Sequence, residues 1–244
     1  MDATFLRERL TSLGKTALDL LYPERCAGCH AFGRSLCAHC SAALVPLTTA
    51  GRCPMCSARW TGERNCDRCY SMQQIERVHA AFEMEGVPRR MVHGLKYRGV
   101  RSLAAPMAAA IEPLAAAVPP AAWFPVPLHR SRERERGFNQ AALLLQHLGI
   151  PAYGGGELRR ERKTERQVGR RARERQRNVS GAFAYRGDPL DGQSVVLLDD
   201  VVTTGATVTE CAATLRDHGA RRVYVVAFAR ASYDVSRPGA PIDD

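Results

Sequence analysis

The segment Val195-Val196-Leu197-Leu198-Asp199-Asp200-Val201-Val202-Thr203-Thr204-Gly205-Ala206-Thr207 permits few folds. Four consecutive apolar residues read as a strand buried on both faces, which means a parallel sheet covered by helices. Two adjacent carboxylates stand where the apolar run ends, and a short hydroxyl-rich loop with one glycine follows. Val208, Cys211, Ala212 and Leu215 then recur at spacings of three and four, which predicts a helix with one apolar face. The loop amides and the positive end of that helix attract a phosphate, and Gly205 lets the backbone approach it closely. Thr203, Thr204 and Thr207 add hydroxyl donors, while Asp199 and Asp200 can accept hydrogen bonds from two vicinal hydroxyls. An ordinary helix cap needs one acid, not two followed by Thr-Thr-Gly-Ala-Thr, so a sugar-phosphate site is the stronger reading.

These thirteen positions resemble the phosphoribosyl-pyrophosphate (PRPP) signature of type I phosphoribosyltransferases, with no departure. The resemblance implies that Asp199 and Asp200 hold the ribose 2′- and 3′-hydroxyls. It also implies that Thr203, Thr204, Gly205, Ala206 and Thr207 hold the 5′-phosphate.

The rest of the chain alternates strand and helix patterns. Residues 78–85 and 123–126 read as strands, 88–97 and 137–148 as helices. Residues 103–118 read as a helix that Pro106 and Pro113 should break or kink. A strand is expected over 183–185 and another over 222–228. Residues 154–178 open on Gly154-Gly155-Gly156 and continue basic and non-apolar, so they read as a loop or exposed arm. The expected fold class is therefore α/β, a mostly parallel sheet flanked by helices, with ligands at the carboxyl ends of the strands. Residues 3–22 carry Phe5, Leu6, Leu10, Leu13, Ala17, Leu20 and Leu21 on one helical stripe, suited to packing on the protein itself. The expected organisation is 1–22 amphipathic helix, 23–72 cysteine module and 73–244 sheet domain.

Eight of the nine cysteines form Cys-x-x-Cys pairs: Cys26/Cys29, Cys37/Cys40, Cys53/Cys56 and Cys66/Cys69. Each knuckle offers two thiolates to one metal, and two knuckles complete a tetrahedral zinc site. Sequential pairing of knuckles is the simplest arrangement; a cross-braced one, first with third, stays open. Four cysteines leave no open coordination position, so the role is structural, and in a module this poor in apolar residues the metal supplies much of the folding energy. Thiol redox chemistry lacks its strand–helix context here. His30 and His39 are surplus to the ligand count, and Cys211 reads as a small core residue.

No apolar run approaches the ~20 residues that cross a bilayer, and residues 1–9 lack a signal-peptide core, so a cytoplasmic location is expected. The net charge is +10, and residues 129–177 hold fourteen Arg or Lys against six Glu. Such clustering points to a polyanionic partner. Within it, Arg130, Arg132, Arg134 and Arg136 fill a loop between a strand and a helix, where their planar forks suit pyrophosphate or a nucleic-acid backbone. Asn139 and Gln140 serve either as ligands or as caps of the next helix.

Three further strings sharpen the resemblance: Gly94-Leu95-Lys96-Tyr97-Arg98-Gly99, Arg136-Gly137-Phe138-Asn139-Gln140, and Lys163-Thr164 with Gln167 ahead of Arg177-Asn178-Val179. In this order, behind a double zinc ribbon, they resemble the ComF family of competence-associated proteins over residues 20–231. The resemblance implies a phosphoribosyltransferase-like domain that handles imported single-stranded DNA in natural transformation. PRPP or a nucleotide is the implied ligand, with Mg²⁺ on the pyrophosphate. Other competence proteins, such as a DNA helicase, are the implied partners. Lys96, Arg130, Arg132, Arg134, Arg136, Asn139 and Lys163 are the implied pyrophosphate or DNA contacts. Tyr97, Phe138 and Tyr153 are candidate stacking platforms. An active, Mg²⁺-dependent phosphoribosyltransferase of nucleotide metabolism is the alternative, with residues 154–178 as its lid. A regulatory sensor of PRPP is a third reading.

Overall fold

The computed structural model describes residues 23–48, 50–56, 66, 69, 72–162 and 180–231. The helix expected over 3–22, Lys163 with the arm up to 178, and the last residues of the chain lie outside them. Two compact units divide between Leu44 and Val45, so the second cysteine cluster belongs to the same unit as the sheet.

The first unit is organised around Cys26, Cys29, Cys37 and Cys40. Arg25 and Phe32 pair as a short antiparallel bridge, and the Arg25 guanidinium lies 4.1 Å from the Phe32 ring centroid. The turn between them closes through Cys26 N–H to the Ala31 carbonyl (2.8 Å) and His30 N–H to the Cys26 carbonyl (2.9 Å). Helix α1 (Ala38–Ala42) starts at Cys37, whose sulfur accepts the Cys40 amide.

In the second unit the order is β1 (Arg77–Glu83), α2 (Gly86–Arg98), a 3₁₀ turn (Arg101–Leu103), α3 (Ala104–Ala116), β2 (Ala122–Pro125), α4 (Arg130–Arg136), α5 (Gln140–His147), β3 (Gly156–Arg160), β4 (Phe183–Gly187), β5 (Ser194–Val202), α6 (Ala206–Asp217) and β6 (Arg222–Arg230). Four strands make a wholly parallel sheet in the order β1-β6-β5-β2, and β3 and β4 form an antiparallel pair.

The apolar run at 195–198 is continuous because both faces of β5 are covered. Val195 and Leu197 join Val223, Val225 and Ala227 of β6 and the apolar face of α6 in one cluster, to which β3 and β4 add Leu158, Phe183 and Tyr185. Val196 and Leu198 are as deeply buried on the opposite face, where α3 and α5 pack against each other and against β5 and β6. Each such side chain stabilises the fold by about 1.5–3 kcal/mol through removal from water.

Three expectations change. Pro106 does not break α3: it lies in the first turn, where its missing N–H has no helical acceptor to lose, and the helix runs through Pro113 to Ala116. The arginine segment is a short helix, not a loop, capped by His129 Nδ1 accepting the Ser131 amide (3.2 Å) and closed by Gly137. Residues 156–160 are a strand, because Leu158 finds the core while its neighbours pair with β4.

The helices that follow β2 and β5 leave toward opposite faces of the sheet. A crevice therefore opens between the carboxyl ends of these adjacent strands, the switch point at which doubly wound sheets bind ligands. The Val126 amide bonds the Leu198 carbonyl (2.9 Å) and holds the two exits side by side.

Candidate functional site

The two acids sit within the last rungs of β5, since the strand runs on to Val202. Strand alternation sends them to opposite faces. Asp200 turns toward α2 and is 3% exposed; Lys96 Nζ lies 3.1 Å from its Oδ2 as a largely buried ion pair. Lys96 reaches that point because Gly94 lets α2 close on the following turn: a Cβ there would stand 2.7 Å from Leu103 Cδ1. Burial alone would lower the Lys96 ammonium, but Asp200 and then Asp199 carry its pKa above the ordinary value. Asp199 Oδ1 accepts the Asp200 amide (2.8 Å). Burial, then the charge of Asp200, push the Asp199 carboxyl well above the usual carboxylate range, against the pull of Lys96.

Next comes the Thr/Gly loop. Gly205 is left-handed (φ 79°) and caps α6; the Ala206 amide reaches Thr204 Oγ1 at 3.4 Å, and the Thr209 amide returns to the Gly205 carbonyl at 2.9 Å. The first amides of α6 have no intrahelical acceptor and carry the positive end of the helix dipole.

Across the crevice, α4 presents its arginines. Arg130 and Arg134 are exposed, Arg132 and Arg136 half-buried. Arg136 stacks over Tyr97 at 5.8 Å from the ring centroid. Arg101 bonds the Gly137 carbonyl (3.0 Å) and covers the Phe138 ring (4.6 Å), so Phe138 is packed and Tyr97, 43% exposed, is the more open ring. Tyr153 packs on Phe124 (5.3 Å). Asn139 caps α5 by accepting the Ala141 and Ala142 amides, and its Nδ2 donates to the Val126 carbonyl (3.0 Å), so both ends of that side chain brace the β2 exit.

The structure thus brings Lys96 to the acid pair and not to the arginine helix. Arg160, which sequence reasoning missed, joins the two sides. Its charge is lowered in stability first by burial, then by Arg132, while Asp199 opposes that shift. In the sequence it was only one of the fourteen basic residues between 129 and 177. Beside it, a cavity of about 390 Å³ runs along the β2 edge, lined by Trp123, Phe124, Tyr153, Arg130, Asn139 and Arg160 among others.

The cysteines form two clusters, Cys26/Cys29/Cys37/Cys40 and Cys53/Cys56/Cys66/Cys69, with all sulfurs of a cluster within 4.8 Å of one another. Knuckles therefore pair sequentially, not cross-braced. Sulfur separations of 3.7 Å (Cys29–Cys37), 3.6 Å (Cys53–Cys69) and 3.5 Å (Cys56–Cys66) match the edge of a tetrahedron with metal–sulfur bonds of about 2.3 Å. In the first cluster burial raises Cys26, yet the amides donating to its sulfur bring it down to about 6; burial and the neighbouring thiols push Cys40 up to about 12. Four crowded sulfurs cannot all ionise without a cation, so the donor set fits structural zinc. Metal analysis of purified protein is expected to find one zinc per cluster. Less than one per chain in folded protein would refute this, and one per chain would mean that one half of the ribbon is degenerate.

Residues 17–70 match the family model described as a double zinc ribbon domain, and residues 135–241 match the one described as a phosphoribosyl transferase domain. Competence protein F of Haemophilus influenzae is 38% identical over 118 residues, covering 46% of this chain and 51% of that protein. The chain is a homologue of Competence protein F, ComFC and YhgH. The DNA utilization protein YhgH of Escherichia coli K12 is 41% identical over 108 residues (43% of this chain, 47% of that protein). Competence protein ComFC of Bacillus subtilis is 33% identical over 101 residues (39% and 38%). The chain spans about half the length of the first of these relatives and less of ComFC. No helix among the described residues is long and apolar enough to cross a membrane.

Proposed function

We propose that this chain handles single-stranded DNA entering the cell in natural transformation, and that the crevice between β2 and β5 binds PRPP or a nucleotide. The observation that supports the reading is the convergence of an acid pair, a glycine-capped helix start and an arginine helix at one switch point. Asp199 accepts from a ribose hydroxyl directly, and Asp200, held by Lys96, from the other. The amides of 204–207 take the 5′-phosphate. Arg130, Arg132, Arg134 and Arg136 take pyrophosphate or the strand backbone. Mg²⁺, when bound with PRPP, neutralises the pyrophosphate charge. Lys163 belongs to the same proposal by its place in the sequence. The names carried by the relatives, competence protein and DNA utilization protein, favour a role in DNA uptake. A cytoplasmic site of action and other competence proteins, such as a helicase, as partners belong to the same proposal.

An active phosphoribosyltransferase is the second reading, favoured by the cavity along β2, whose aromatic lining and arginine rim suit an acceptor base or amine.

Single-stranded DNA should bind with little sequence preference and a steep salt dependence, each phosphate contact adding about −0.7 to the slope. Replacing Arg130, Arg132, Arg134 and Arg136 by Gln should weaken binding and flatten the slope by up to about 3. Affinity indifferent to salt, or unchanged in the quadruple variant, would make these arginines a solvated face and favour the transferase. Isotope-labelled PRPP incubated with a panel of bases distinguishes the two readings by turnover.

A further inference from the structure

The loop that takes the phosphate does not rest on the sheet alone. Met72, 2% exposed, lies directly against Gly205: a Cβ at that glycine would stand 2.8 Å from Met72 Sδ and 2.9 Å from its Cε. Met72 follows the ligand Cys69 by three residues, and its carbonyl accepts the Ile75 amide (2.9 Å) in the turn that leads into β1. The second cysteine cluster is itself seated on the sheet domain. Met55 and Cys69 pack at once against Cys53 and Cys56 and against the main core that contains Met72, Val202 and Val208. Arg52 of the same segment pairs with Glu83 at the end of β1 (3.1 Å). Met72 is thus held between a metal-binding knuckle and the glycine that starts α6.

We propose that Met72 is a positioning residue through which the second four-cysteine site sets the geometry of the phosphate loop. Zinc at Cys53, Cys56, Cys66 and Cys69 fixes where the Cys66–Cys69 knuckle ends, and so where Met72 presses on Gly205. The loop has no side chain of its own at 205, so this contact is what limits its movement toward the core. Close packing transmits displacement because interiors have little room to absorb it. Losing the metal frees the knuckle, the Met72 contact loosens, and the amides at 204–207 lose their common aim. The ligand side of this inference rests on the PRPP reading; the coupling between cluster and loop does not.

The test uses the full chain and two readouts: hydrogen exchange of the amides of residues 204–208, and calorimetric binding of PRPP. In zinc-loaded protein, Met72→Ala should speed exchange of those amides and weaken PRPP by about tenfold, with zinc content unchanged. Met72→Leu, which conserves volume, should restore both. Cys66→Ser with Cys69→Ser should speed the same amides, and adding Met72→Ala to it should produce little more, since both act through one contact. Exchange within about twofold of the parent in Met72→Ala, or a full additional effect of zinc loss in that variant, overturns the inference. If exchange responds as stated but the parent binds no PRPP, the coupling stands and the PRPP reading falls.

Discussion

Asp199→Asn combined with Asp200→Asn is expected to abolish PRPP binding, by about a hundredfold or more, while the chain still folds. A hydrogen bond to a charged group contributes about 1.5–3 kcal/mol, and two of them are removed together. The amide that replaces each carboxylate accepts less strongly and brings a donor toward a hydroxyl. Calorimetry with unchanged affinity in the double variant would rule out the ribose site. The single Asp199→Asn variant separates binding from stability. Because burial and Asp200 raise the folded pKa of Asp199, its carboxyl binds a proton more tightly in the native chain than in the unfolded one. Its contribution to stability is then fully present below the ordinary carboxylate value, near ~4, and is lost as pH rises through the folded value. Asn carries no such loss. The variant should therefore bind PRPP poorly yet resist urea better than the parent at neutral pH, with the two converging in acid. A parent more stable than the variant at pH 7 and indistinguishable from it in acid would contradict this.

Charges crowded at a strand end conflict with folding alone, and that conflict is what made the acid pair stand out in the sequence. β5 and α6 could be read directly, because a run buried on both faces and a 3.6-residue stripe are local patterns. So could the cysteine knuckles, whose spacing is chemistry; their sequential pairing needed coordinates. The helix of Arg130–Arg136 was hidden, since it has no apolar face and its helical state is set by the His129 cap and Gly137. Pro106 misled because a proline is tolerated in a first turn and destructive later, and the start of α3 is fixed by the preceding 3₁₀ turn. Arg160 and the Lys96–Asp200 pair were out of reach altogether. Their partners are far along the chain, and only the strand order β1-β6-β5-β2 decides what meets at the crevice. Lys96 was legible as a cation near phosphate chemistry, but not as the counterion of Asp200.

That counterion role carries the largest expected effect on the fold. Lys96→Met keeps most of the aliphatic stem but leaves the carboxylate of Asp200 buried without its charge partner. Removing one member of a buried pair costs about 3–5 kcal/mol, far more than the intact pair contributes over an apolar replacement. Chemical denaturation should therefore show a loss near the lower end, about 3 kcal/mol, because the Lys96 side chain is 19% exposed. The raised folded pKa of Lys96 means that its own stabilising contribution is complete at every pH below ~10.4 and disappears only in alkali. The deficit of Lys96→Met should accordingly narrow above that range, as the parent's own ammonium is lost. Lys96→Met with Asp200→Asn removes the stranded charge as well and should recover most of the stability. If Lys96→Met unfolds at the same denaturant concentration as the parent, or if the double variant is no more stable than the single, the ion pair is a surface contact and Asp200 does not depend on it. The recovered fold should still bind PRPP poorly, because Asp200→Asn removes a carboxylate that accepts a ribose hydroxyl.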